Sequence, residues 1–238
     1  MKPAIAKPDY HLLAGTVLRA NEFFRECPSE TLERIVAAGR IVLLEDGQCV
    51  HARGQTVDSL IVVVTGCLAV STTSAAGKRH VVGLLQPGQV SALISFFDGK
   101  PSIHDNHAHG PTMVLRIDQQ VVRQEMFQQP AMVNAMLRML ASRARGLHER
   151  AVSTLLEPLQ VRVARVLLGL LGSYGLRRPS GILINLKLSQ EDFASLLGVT
   201  RQRINREFNE LVRRQVILVA YSQIHVVDLP QLHTIAGL

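Results

Sequence analysis

Four side chains in residues 201–206 are of the kinds that hydrogen-bond to base edges: Arg201, Gln202, Asn205 and Arg206, with Asn209 one turn further on. An arginine matches guanine with two N–H groups, and a glutamine or asparagine amide matches adenine in the same bidentate way. On a helix these residues share the face opposite Ile204, Phe208, Leu211 and Val212, which must pack inward. Ordinary solvated helices carry the same letters, so the flanking residues decide. Upstream, Ser189 with Asp192 nearly matches a capping box, and Phe193, Leu196 and Leu197 form the apolar face of a first helix. Gly198 suits the positive φ of a helix C-cap, and Thr200 caps the second helix. Two capped helices across a tight turn, with polar hydrogen-bonding groups outward, point to a helix that reads a DNA major groove.

Other elements must position this pair. VRVARVLLGLL, ended by Gly172, reads as an amphipathic helix, SYGLRRPSG as a loop and ILINLKL as a strand. After the helix pair, VILVA and IHVVDL flank YSQ as a hairpin, which completes the element order of a winged helix. From Leu159 onward ten Lys/Arg face five Asp/Glu, a local excess of positive charge suited to a polyanion. The whole chain of 238 residues carries a net charge of +7.

Upstream, residues 29–38 read as a short helix with Ser29 as N-cap and Gly39 at its end. Between Ile41 and Ile117 come short apolar, β-branched runs. Turns at Glu45-Asp46-Gly47, Thr65-Gly66, Ala76-Gly77-Lys78, Gln86-Pro87-Gly88 and Asp98-Gly99 separate them, the pattern of an all-β sandwich or barrel. Beyond Pro130, the residues Val133, Leu137, Leu140, Ala144, Leu147, Ala151 and Thr154 recur at heptad spacing until Glu157-Pro158. A helix packed on its own domain is one reading. The seam is free of charge, which favours a two-stranded coiled coil and hence a homodimer. The expected fold is α+β, with a β-rich domain over residues 1–128, a dimerisation helix over 129–158 and a winged helix-turn-helix over 159–238.

LSQEDFASLLGVTRQRINREFNELVRRQVI, followed by IHVVDLPQL, resembles the DNA-binding domain of the Crp/Fnr superfamily of bacterial transcription regulators. VLLEDGQCVHARGQTVDSLIVVVTGCLAVS resembles its double-stranded β-helix (jelly-roll) sensor domain. The resemblance implies that Arg201, Gln202, Asn205 and Arg206 read bases. Family members often carry glutamate where this chain has Gln202, so the half-site sequence is left open. It also implies that Lys187, Ser189, Thr200 and Arg203 contact phosphates, which position the protein without specifying sequence. Members that bind cyclic AMP use a Gly-Glu pair and an Arg-Ser pair. In VSALISFFDGKPSIHDNHAHG those places hold Ser91-Ala92 and Ser102-Ile103. A buried phosphate without its arginine would face a steep desolvation cost, so the expected effector of a pocket at Ser91, Ala92, Leu93, Ser102 and Ile103 is not cyclic AMP.

Three separated cysteines, Cys27, Cys49 and Cys67, are read as free thiols, not as a disulfide framework or the ligands of an iron–sulfur cluster. His107 and His109 would share one face of a strand, a weak metal pair, and rim histidines are the commoner reading. No cofactor is expected, although nine histidines leave haem ligation open. No run of eighteen apolar residues spans a membrane and residues 1–15 do not form a leader, so a cytoplasmic address is expected. No nucleophile–base set or phosphate-binding glycine loop points to an enzyme. The expected partners are double-stranded DNA, a second copy of the chain and, for an activator, RNA polymerase. The alternative is a small-molecule, haem or metal sensor whose winged helix serves protein contacts.

Overall fold

The computed structural model describes residues 9–74, 79–220 and 223–238. The N-terminal stretch 1–8, the expected turn at Ala76-Gly77-Lys78 and the hairpin tip at Tyr221-Ser222 lie outside them. The chain divides into two compact units, residues 1–72 with 83–144 and residues 73–82 with 145–238.

The first unit opens with α1 (Tyr10–Ala20), where the Asp9 carboxylate accepts from the N–H groups of His11 and Leu12. A single 3-10 turn leads to α2 (Ser29–Ala38). Pro28, not Ser29, precedes the first turn of α2, and no side chain caps it. Proline lacks the N–H that would go unpaired at a helix start, so the boundary moves back by one residue.

The strands follow: β1 (Arg40–Leu44), β2 (Cys49–His51), β3 (Ser59–Thr65), β4 (Leu68–Thr73), β5 (Arg79–Leu85), β6 (Val90–Ser91), β7 (Asp105–Ala108) and β8 (Thr112–Asp118). A short helix, α3 (Leu93–Asp98), lies between β6 and β7. They form two sheets of four, in the orders β1-β8-β3-β6 and β2-β7-β4-β5, the double-sheet arrangement of a jelly roll. The expected β-rich sensor fold is present.

Strand β3, SLIVVVT, is buried along nearly its whole length. Ile61 and Val63 face the space between the sheets with Leu44, Leu68, Ala108 and Val114. Leu60, Val62 and Val64 face the other way, into a core shared with Leu18, Leu32, Ile35, Leu115 and Met136. A strand covered on both faces reads as a continuous apolar run, which is why it lacks alternation.

Two helices close the first unit, α4 (Gln119–Gln128) and α5 (Pro130–Leu156). Glu125 of α4 is buried and accepts from Arg34 Nε and Nη2 of α2 at 2.8 and 2.7 Å. These hydrogen bonds hold the Glu125 carboxyl below its ordinary pKa against the opposing effect of burial. Helix α5 turns Met132, Ala135, Met136 and Met139 into the core. That stripe is offset from the expected seam and escaped the sequence reading. Of the seam residues, Leu137 and Leu147 are 54% and 60% exposed, and Ala144 and Ala151 are also exposed. Val133 is half-buried, and Leu140 leans on the core of its own unit. The two readings of this helix therefore describe different stripes of its surface.

The second unit comprises α6 (Leu159–Tyr174), β9 (Gly175–Arg178), β10 (Gly181–Ile184), α7 (Gln190–Leu197), α8 (Arg201–Arg213), β11 (Ile217–Ala220), β12 (Gln223–Val226) and α9 (Leu229–Ala236). Its sheet runs β11-β12-β10-β9. Helix α6 continues through Gly172 to Tyr174, because Leu170 and Tyr174 are buried and packing outweighs the roughly 1 kcal/mol cost of glycine. The expected loop that follows is partly strand β9, which pairs with β10 in register Gly181↔Arg178 to Ile184↔Gly175. ILINLKL is strand only through Ile184. Helix α9, packed on α6, was not foreseen, although its Asp228 cap and early Pro230 are visible start signals.

Gly66, in the turn between β3 and β4, has φ +78°, and a Cβ there would lie 2.5 Å from Pro111 O and 2.8 Å from Thr112 Cα. Both obstacles are backbone. Gly66→Ala is therefore expected to destabilise the first unit by about 2 kcal/mol or more, from left-handed strain plus overpacking. Thermal unfolding followed by circular dichroism checks this, and an unchanged melt would remove the steric argument.

Candidate nucleic-acid interface and sensor cavity

The turn between α7 and α8 is built as its residues require. The Ser189 hydroxyl accepts from Asp192 N at 3.1 Å, and Asp192 Oδ2 accepts from Ser189 N at 2.8 Å, a complete capping box. Gly198 sits at φ 66°, ψ 36°, and the next N–H, of Val199, donates to Ala194 O at 2.9 Å. Thr200 is extended, and its hydroxyl accepts from Arg203 N at 3.4 Å. Phe193 of α7 meets Phe208 of α8 edge to face, with ring centroids 5.0 Å apart. That aromatic contact and the buried Ile204 and Leu211 fix the rotation of α8.

Arg201, Gln202, Arg203, Asn205, Arg206 and Asn209 are consequently all exposed. Among the described residues none of Arg201, Arg203 and Arg206 is in an ion pair, whereas Arg213 is held by Glu210 at 2.7 Å. Val212, expected inside, is 37% exposed. Eight residues beyond Ile204, it is rotated roughly 80° from that side chain at about 100° per residue, while Leu211 is nearly aligned. Of the expected phosphate contacts, Lys187, Thr200 and Arg203 are exposed, but Ser189 has both its N–H and its hydroxyl proton directed at Asp192 Oδ2. It is a helix cap beside a carboxylate, a poor place for a phosphate.

In the first unit, Ser91, Ala92, Leu93, Ser102 and Ile103 line one cavity of about 80 Å³. His51, His104, Asn106 and Arg143 line it too, and sequence reasoning missed all four. Ala92 adopts φ 66° without being glycine, a strained conformation that starts α3. The Ser91 hydroxyl donates to Asn106 Oδ1 at 3.1 Å, and the Asn106 amide faces His51 Nε2 at 2.8 Å. The amide nitrogen can only donate, so His51 Nε2 accepts and its proton resides on Nδ1. Burial, aided by the Arg116 charge and opposed by Asp105, pushes the His51 pKa down to about 4, so the ring is neutral near pH 7. Arg143 reaches in from α5 and donates to Val90 O, and burial lowers its pKa. Above α3, Arg123 stacks on the Phe96 ring, 4.4 Å from its centroid, and donates to Phe96 O.

His107 lies in β7, while His109 is one residue past its end at Ala108, where the chain turns toward Gly110 (φ 76°). Among the described residues no group of three or more His, Cys, Asp and Glu side chains could hold a metal ion. Cys27, Cys49 and Cys67 form no disulfide among the described residues. None of the described helices is long and apolar enough to cross a membrane.

Residues 161–235 match the Crp-like helix-turn-helix domain family, and residues 41–129 match the cyclic nucleotide-binding domain family. The chain is similar to the global nitrogen regulator of Synechococcus elongatus, 26% identical over 203 residues that cover 82% of this chain and 91% of that protein. It is also similar to the CRP-like cAMP-activated global transcriptional regulator of Mycobacterium tuberculosis, 23% identical over 71% of this chain and 75% of that one. Among solved structures, FixK2 of Bradyrhizobium japonicum superposes with a TM-score of 0.72 at 18% identity, over 83% of this chain and 96% of that one. A CRP-family transcriptional regulator of Thermus thermophilus gives 0.70 at 20% identity, over 83% and 97%.

The capping box yields a local test. Asp192→Ala removes one acceptor shared by the Ser189 N–H and hydroxyl, and is expected to destabilise the second unit by about 1 kcal/mol. Urea unfolding read by circular dichroism measures the loss, and a variant as stable as the parent would show that the cap is not needed.

Proposed function

The chain belongs to the Crp/Fnr family of transcription regulators, and from that membership we propose that it acts as a homodimer binding a pseudo-palindromic operator. The family's helix-turn-helix implies DNA as partner, and α8 is the element that reads it. The observation that carries this reading is the outward face of α8. Three arginines without acidic partners among the described residues, together with Gln202 and Asn205, project from a helix whose inward side is locked by Phe208. Arg201, Gln202, Asn205 and Arg206 take the base-reading role, and Lys187, Thr200 and Arg203 position the helix on phosphates. Ser189 is assigned to the cap alone. No catalytic residue is assigned.

The working assignment of the chain is a sensor over residues 1–128, a dimerisation helix over 129–158 and a DNA reader over 159–238. Exposure of Leu137, Leu147 and Leu155 on α5, the last at 83%, supports pairing of that helix with its copy. Two readers related by a dyad would meet half-sites about 34 Å apart on one face of the duplex. The cavity around Ser91 and Ser102 is assigned as the regulatory site. Its effector is not cyclic AMP, because the sugar- and phosphate-binding pairs of the nucleotide-binding relatives are absent.

Arg206→Ala is expected to weaken binding to a specific palindromic duplex by about 1–3 kcal/mol and to relax preference at one base pair of each half-site. Fluorescence anisotropy at fixed salt is the measurement. Unchanged specific binding would remove α8 as the reader and favour protein contacts for this domain. Leu137→Glu combined with Leu147→Glu is expected to convert the dimer to monomer in sedimentation equilibrium and to abolish tight operator binding. A dimer surviving both substitutions would place the interface elsewhere.

A further inference from the structure

The cavity has one cationic lining residue with no acidic partner. Among the described residues Arg143 is in no ion pair, and its one recorded hydrogen bond goes to a neutral carbonyl, Val90 O. Burying a guanidinium this way is costly unless an anion completes it. A second donor is also unspent. His51 is 7% exposed, its Nε2 accepts from Asn106, and its buried Nδ1 has no partner. Three serines line the cavity: the Ser91 hydroxyl is committed to Asn106 Oδ1 and that of Ser102 to His104 O at 2.8 Å, while Ser95 comes from α3. Buried donors in folded proteins are rarely left unpaired. Arg143 and His51 thus place a charged and a neutral unspent donor on residues that line one cavity, which describes half of a hydrogen-bonded anion site.

Size narrows the ligand. A cavity of about 80 Å³ holds roughly five to eight water-sized groups, and pockets for larger organic ligands begin at about 300 Å³. The space is smaller than pockets that take ligands of nucleotide size. Val70, Leu85, Leu93 and Ile94 supply an apolar wall, which suits a short carbon chain better than a fully hydrated inorganic ion.

We propose that this cavity is a receptor for a small carboxylate, with the Arg143 guanidinium and the His51 Nδ1–H as its donors. The proposal rests on reading the cavity as the regulatory site and names the chemistry that occupies it. The Ser91–Asn106–His51 chain is then a tautomer lock, since it leaves His51 with only a donor to offer. Arg143 belongs to α5, so a bound carboxylate is read directly by the helix that carries the exposed leucine stripe.

Isothermal titration of the full-length protein with acetate, malonate and succinate tests this, alongside inorganic phosphate and cyclic AMP. At least one carboxylate is expected to bind with Kd below about 10 mM. Arg143→Gln should weaken it by about tenfold to a hundredfold, and His51→Phe by about threefold to tenfold. Arg143→Lys should rescue only part of the loss, because a lysine keeps the charge without the fork. Circular dichroism melts without ligand confirm that each variant is folded, and a folded Arg143→Gln variant that binds as tightly as the parent overturns the proposal. So does the absence of carboxylate binding, or binding of phosphate or cyclic AMP alone. Operator affinity measured with and without the carboxylate separates the two readings. If the carboxylate binds through Arg143 but leaves operator affinity unchanged, the receptor stands and the regulatory assignment fails. If operator binding is intact and no carboxylate binds, the receptor fails and the DNA-reading assignment stands.

Discussion

Strand β3 is buried on both faces, and much of the first unit is arranged around that constraint. Ile61 and Val63 close the space between the sheets, while Leu60, Val62 and Val64 support the layer of helices α1, α2, α4 and α5. A strand in this position needs an apolar surface on each side, so neither the second sheet nor the helical layer is dispensable. Met132, Met136 and Met139 seat the first half of α5 in the core that β3 lines. Arg34 and Glu125 tie α2 to α4 across that layer, an ion pair shielded enough for geometry to matter. The position of Arg143 in the cavity is a consequence of this seating.

The second unit obtains its reading surface by a similar subtraction. Helix α8 buries Ile204, Phe208 and Leu211, and the Phe193–Phe208 contact removes its remaining rotational freedom. The outward residues are then presented without having to pack against anything. The capping box at Ser189 and the left-handed Gly198 set the angle between α7 and α8. A side chain that serves a cap is lost to the ligand, which is why Ser189 belongs to the turn and Arg203 to the surface.

The sensor cavity shows a different logic. Its polar groups come from β2, β6, α3, the loop before β7, β7 and α5, and each alone has an ordinary explanation. Together they form a relay that fixes a tautomer, beside Arg143 on the same cavity wall. Arg143 comes from α5, far along the chain, and Ser91 and Ser102 spend their protons on neighbouring groups.

How much of this was legible beforehand follows from the range of the interactions involved. The helix pair at Ser189–Asp192, Gly198 and Thr200 is governed by bonds between residues three or four apart, so its letters sufficed to place it. The β-rich sensor was visible as turn-punctuated apolar runs, and the exposed stripe at Leu137 and Leu147 as a heptad. Other features depended on partners far along the chain. Tyr174 carried α6 through Gly172 because the core held it, and β9 became a strand because β10 was there to pair with. Met132 and Met136 were hidden as a stripe because the seam beside them was the more regular pattern. His51, Asn106 and Arg143 are separated by up to ninety-two residues in sequence and meet only when the roll closes and α5 docks. Local spacing determined the helix pair around Thr200, whereas tertiary packing decided which arginine lines the cavity, because a cavity has no period to detect in a sequence.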